Sequence, residues 1–155
     1  MKKIILLAAM VLGFAVAASA QPRAIGLRGG EVSYQHTLGE NFIELNGGFG
    51  FGIGTNGNIN IGATGIYNFM IAQPQWTDRG EWGFYAGPGV SLGLSRDKEL
   101  NQFFNIAAAG MVGLEYTFWF PLQLSIDLRE HLGFGSAGHG FYDLASICAG
   151  VRYRF

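Results

Sequence analysis

From Arg23 to Phe155 the sequence keeps a period of two, and that repeat decides what the chain can fold into. Between Trp82 and Leu94 the even positions are Trp82, Phe84, Ala86, Pro88, Val90, Leu92 and Leu94, all apolar. The odd positions are Gly83, Tyr85, Gly87, Gly89, Ser91 and Gly93. Successive side chains of a strand point to opposite faces, so an alternation this long predicts strand. The same split sets Leu122, Leu124, Ile126 and Leu128 against Gln123, Ser125, Asp127, Arg129 and His131. It sets Ile147, Ala149, Val151, Tyr153 and Phe155 against Ser146, Cys148, Arg152 and Arg154. After Gln21 no stretch carries a convincing helical period, and the chain reads as all-β.

Parity alone leaves open which face is inside. A secreted lipocalin-like barrel would enclose the apolar face and wet the other. Its exterior would then be rich in glycine, of which the chain has 25, and nearly free of lysine, since Lys98 is the only one after residue 20. Water-exposed surfaces are typically about 25–35% charged, and this chain is 14% charged. The inverted arrangement fits better: small and hydrogen-bonded polar residues fill a narrow lumen, and the large apolar side chains face lipid. Aromatics support it. Tyr67, Phe69, Trp82, Phe84, Tyr116, Phe118, Trp119, Phe120, Tyr153 and Phe155 gather at one end of antiparallel strands, and Phe49, Phe51, Phe104 and Phe134 fall toward the other. Two such girdles suit the two membrane–water interfaces.

The N-terminus agrees. Lys2 and Lys3 precede the apolar run Ile4–Ala18, and Ala18-Ser19-Ala20 ends before Gln21-Pro22. A basic start, a short apolar stretch and a small-x-small site describe a secretory signal peptide. The run is shorter than the roughly 20 residues of a membrane-spanning helix. The expected organisation is a signal peptide at 1–20 and one β-barrel domain at 21–155. Without Lys2 and Lys3, eight basic residues face eleven acidic ones. That mild excess offers no basic patch for nucleic acid. Cys148 is the one cysteine and has no partner for an internal disulfide.

Turn-rich separators at 38–41, 54–57, 72–80, 96–102, 119–121 and 135–140 delimit seven segments. A bacterial single-chain barrel has an even number of strands. The missing break falls at Gly29-Gly30, where the apolar parity changes from Ile25 and Leu27 to Val32, Tyr34 and Leu38. Such a slip marks either a bulge or a tight hairpin; the hairpin gives eight strands, at about 23–29, 31–38, 41–53, 57–71, 81–95, 103–118, 122–135 and 141–155. Glu130 breaks the pattern, on the lipid-facing parity of its strand, and is expected near the outer interface.

The signal, the eight alternating strands, the hairpin "EYTFWFPLQLSIDLRE" and the terminal "VRYRF" together resemble the small outer-membrane β-barrel family that includes OmpX, OmpW and the OmpA transmembrane domain. The resemblance covers Arg23–Phe155. It implies an eight-stranded antiparallel up-and-down transmembrane barrel in the outer membrane, a monomer in contact with outer-membrane lipid and lipopolysaccharide. It implies that Val151, Tyr153 and Phe155 form a signal read by the barrel-insertion machinery. Short loops on the outer side and a longer turn at Ala72–Gly80 depart from the family pattern.

Inward-facing charges in this register are Arg28, Glu31, Glu44, Glu115, Asp127, Arg129, Arg152 and Arg154, four of each sign. An eight-stranded lumen is about filled by side chains, and charges held there require partners. The expectation is a plugging, rigidifying network; a gated ion path is the alternative. Ser136, His139 and Asp143 in "GSAGHGFYD" bring together the groups of nucleophilic acyl transfer. Some barrels of the resembling kind are lipid A acyltransferases or deacylases. Loops of any function share this composition, and a non-enzymatic role in envelope structure or surface interaction is the preferred reading. A narrow conduit for small hydrophobic solutes is a further alternative. No metal-ligand spacing appears, and no cofactor is expected. "GFGFGIGTNGN" is not a phosphate loop, because its glycines alternate with Phe and Ile and no helix follows.

Overall fold

The computed structural model describes residues 21–51, 59–96, 102–135 and 140–155. The expected signal peptide, Ser136 and His139 lie outside them. Eight strands form a closed antiparallel barrel in chain order: β1 (Pro22–Arg28), β2 (Glu31–Leu38), β3 (Asn41–Phe51), β4 (Ile59–Ala72), β5 (Glu81–Arg96), β6 (Gln102–Thr117), β7 (Leu122–Gly135) and β8 (Gly140–Arg154). No described residue is helical.

The phase slip at Gly29-Gly30 is a hairpin. Both glycines have positive φ, 55° and 90°, the backbone that a two-residue turn matched to strand twist requires and that a side chain would strain. Arg28 pairs with Glu31 directly across it.

Alternation becomes an inside and an outside. Leu27, Val90, Leu132, Phe134 and Ile147 are each 60% exposed or more on the outer face. Arg28, Glu44, Asp127, Arg129 and Arg152 are each 2% exposed or less in the interior. This is the reverse of a water-soluble barrel, and it follows from the parity of the sequence.

Four places interrupt the plain ladders, two of them register shifts between Met70 and Ala72 against β5 and between Arg129 and His131 against β8. Pro88 has no N–H to give a ladder, and β4 and β5 pair through Ile66–Gly89 and again from Phe69–Ala86, skipping Tyr67 and Asn68 opposite Pro88 and Gly87. At the start of β1 the register shifts between Pro22 and Ala24. Arg23 is the extra residue there, and Arg23 and Ala24 are both buried.

The wall is also uneven in height. β1 pairs with β8 only from Ala24–Arg154 to Arg28–Gly150, and β2 reaches β3 no higher than Val32–Gly47. β8 continues upward to Gly140 paired with β7 alone.

Candidate functional site: a lumen of paired charges

The interior has two unlike halves. On the β3–β6 wall, Phe42, Ile66, Tyr85 and Met111 form a buried apolar cluster, with Phe42 and Tyr85 edge to face at 5.2 Å between ring centroids. A Cβ at Gly113 would enter the Tyr85 ring, so that glycine makes room for it. The expectation of a lumen filled only by small and polar groups is therefore incomplete. The signal was present, since all four residues lie on the parity shared with glycine and polar residues.

The other half is ionic. Arg28 Nε donates to Asp127 Oδ1 at 2.7 Å, and its Nη2 forms an ion pair with the same carboxylate. Arg129 Nη1 lies 3.0 Å from Glu31 Oε2, which Arg28 Nη1 also approaches at 3.5 Å. Arg152 is held most completely: Nη2 to Glu44 Oε1 at 2.9 Å, Nε to Ser33 Oγ at 2.8 Å and Nη1 to Ser125 Oγ at 2.6 Å. Gln35 Nε2 donates to the second Glu44 oxygen at 2.9 Å. Burying ions this deeply is tolerable only with such partners, because desolvation of each costs several kcal/mol.

Arg23 adds a cation that the sequence reading did not count. Strict alternation assigns it the parity of Ile25 and Leu27, but the register shift turns it inward. It pairs with Glu115, donates to Gln35 Oε1 at 2.8 Å and stacks over Phe42 at 4.0 Å. Gln123 Nε2 completes Glu115 at 3.0 Å. Arg154 is partly exposed and donates to Thr117 Oγ1 at 3.0 Å. An unpaired bulge residue is what a parity argument misses.

The placement of these pairs has a pattern. Arg23–Glu115, Arg28–Asp127, Glu31–Arg129 and Glu44–Arg152 each join a strand from β1–β3 to one from β6–β8. Every one crosses the side on which β1 closes against β8. That seam has the fewest paired residues of any in the barrel, and the ion pairs tie its two sides together through the lumen.

Val151, Tyr153 and Phe155 share an exposed outer row, with Tyr153 and Phe155 rings 5.4 Å apart. At the same end Trp82, Tyr116, Phe118 and Phe120 form a continuous stack, with successive centroids 4.6 to 4.9 Å apart. The long turn at 73–80 folds onto this stack. Trp76 lies 5.4 Å from Trp82, and Tyr116 Oη donates to the Arg79 carbonyl at 2.5 Å. Phe104 and Phe134 are exposed at the other end. Glu130 is exposed on the outer face, paired in register with Gly110. His36 is buried, its Nδ1 3.3 Å from Tyr34 Oη.

Of the acyl-transfer candidates, the backbone of Asp143 pairs with His131 on β7. No cluster of potential metal ligands occurs among the described residues. Comparison with protein-family models, curated proteins and solved structures gives no match.

Proposed function

We propose that this chain is an integral outer-membrane β-barrel with a structural or surface-interaction role in the envelope, its lumen plugged by the paired charges. The observation that carries the reading is the inversion of the barrel. Large apolar side chains cover the outside, and the arginines and carboxylates are inside. In water such an exterior would aggregate, since soluble monomers rarely expose contiguous apolar patches beyond a few hundred Å². In a bilayer the same exterior is matched, and a closed barrel leaves few backbone groups unpaired. The lumen favours a plug over a pore, because ion pairs cross one half and Phe42, Ile66, Tyr85 and Met111 fill the other.

The test is direct. Expressed from its full sequence in a Gram-negative host, the protein is expected in the outer-membrane fraction, with a gel mobility that changes on heating. Purified and reconstituted, it is expected to float with vesicles and to give no steady single-channel current. A soluble periplasmic product refutes the membrane placement. Currents that change with Arg129→Ala refute the plug. Lipid A mass spectra from matched cells with and without the protein are expected to coincide; an acyl-chain mass difference would instead indicate catalysis.

A further inference from the structure

The uneven wall leaves a notch, and it leads into the lumen. Its floor is the Gly29-Gly30 hairpin. One side is β8 above Ala149, and the other is β3 above Gly48. Among the described residues, nothing pairs with these two edges above the floor. Gly29 N–H donates to the Ala149 carbonyl at 3.0 Å, the last rung of the seam. Strand alternation then directs the N–H and C=O of Ile147 into the opening. The interior changes at the same level. Gly150 and Arg152 below the floor are buried, whereas Ser146 and Cys148 on the same lumen face are partly exposed.

The notch lies at the height of the apolar band. The seven residues of β1 rise about 18 Å when tilted some 40°, short of the roughly 25 Å apolar band of such barrels. Elsewhere the exposed apolar surface climbs higher, to Leu94 on β5, Phe104 on β6 and Phe134 on β7. Two strands are missing between the edges, a gap of about 14 Å at normal strand spacing.

Unpaired strand edges are not left facing hydrocarbon, so an acyl chain alone is a poor occupant. One added strand would span only about 10 Å from edge to edge and leave one side unmet. Below the register shift between Ser146 and Asp143, the open β8 edge presents donors and acceptors in alternation, which hydroxyl groups match because each both gives and accepts a hydrogen bond. At the floor, Arg129 reaches from β7 to Glu31 on β2, and its Nε and Nη2 are buried with no partner among the described residues. Two unused guanidinium nitrogens favour an acidic oxygen.

We infer that the notch is a lateral docking site for the head group of an outer-leaflet glycolipid, with sugar hydroxyls on the open edges and an acidic group toward Arg129. The inference rests on the outer-membrane reading above. Glycolipid enters from the side and stops at the ion-pair floor, so the site binds without conducting.

The single cysteine, Cys148, reports on the floor. The barrel is reconstituted in phosphatidylcholine vesicles with or without lipopolysaccharide, and maleimide alkylation of Cys148 is timed. Alkylation is expected to proceed in phosphatidylcholine and to slow at least about fivefold with lipopolysaccharide. A Cys148→Ser/Thr77→Cys variant, with its thiol in the exposed turn, is expected to react equally in both. Ile147→Pro is expected to fold, because proline is accepted where a strand N–H has no ladder partner. Equal Cys148 rates in the two vesicles overturn the docking site. An unreactive Cys148 together with an Ile147→Pro chain that does not fold overturns the notch itself and indicates a strand in the gap. Flotation separates the two readings: a chain that does not float fails the membrane placement, and Cys148 protection in lipopolysaccharide micelles still tests the notch.

Discussion

Arg152 gives the most demanding test of the lumen network. Its guanidinium joins β8 to Glu44 on β3, and both side chains are fully enclosed. Arg152→Met removes the cation and leaves the Glu44 carboxylate to neutral donors such as Gln35 and Ser33. Stranding one member of a buried pair costs about 3–5 kcal/mol, a large part of a typical folding free energy of 5–15 kcal/mol. Glu44→Gln strands Arg152 in the same way and is expected to cost a similar amount. The double variant removes both charges of the pair. Glutamine retains a hydrogen-bonding amide beside Gln35 and Ser33, and methionine fills much of the arginine stem volume. Its cost is expected to be about 1–3 kcal/mol, mostly lost neutral hydrogen bonds. The singles therefore sum to several kcal/mol more than the double. The measurement is a urea titration of the barrel in vesicles, read by tryptophan emission and by gel mobility of unheated samples. A coupling below about 0.5 kcal/mol, the scatter of independent sites, would refute the claim that this pair acts as a unit.

Three further outcomes follow from individual contacts. Gly113→Ala puts a methyl group into the Tyr85 ring and is expected to lower stability by about 1–3 kcal/mol; Tyr85→Ala in the same chain should recover part of the loss, and an additive double would contradict the packing. Tyr85→Phe is expected to be neutral or mildly stabilising, because the buried hydroxyl has no partner among the described residues. A loss above about 1.5 kcal/mol in that variant would reveal a hydrogen bond to it. Trp76 stacks on the outer aromatics although it belongs to a turn. In a chain whose other tryptophans are phenylalanine, its emission should be quenched by lipids brominated near the head group, and unquenched emission typical of water would place the turn away from the membrane.

The outline of the barrel was legible because a two-residue period leaves no other choice: a one-residue error in any strand would exchange Leu124 and Ile126 for Gln123 and Ser125. The Gly29-Gly30 hairpin was legible for the same reason, as a change of parity at residues that accept positive φ. Arg23 was not, because its inward turn depends on a register shift that no alternation records. The interruption at Pro88 was half legible. Proline forbids a ladder bond, but only the pairing reveals that the broken side is the one toward β4. Sequence could also assign charges to the lumen without assigning partners, since Arg28 and Asp127 are brought together by closure of the sheet and are 99 residues apart in the chain.

That closure ties the ionic half of the lumen to the shape of the wall. A barrel with a short seam has little backbone bonding to hold its first strands against its last. Here β1 contributes five paired positions to β8, while β5 and β6 are paired along their whole lengths. The arginines lie where that deficit is. Arg28 and Arg23 on β1 reach to β7 and β6, and Arg152 on β8 reaches to β2 and β3. The apolar cluster lies against the well-paired strands β3–β6, where backbone bonding is already extensive. An apolar filling of the whole lumen would be no harder to pack, and buried ion pairs add little net stability over such a filling. What they add is direction: each arginine accepts only a partner at the right height on the opposite side. The register in which the first and last strands meet is thereby selected, and the height at which the wall ends above Gly29-Gly30 is selected with it.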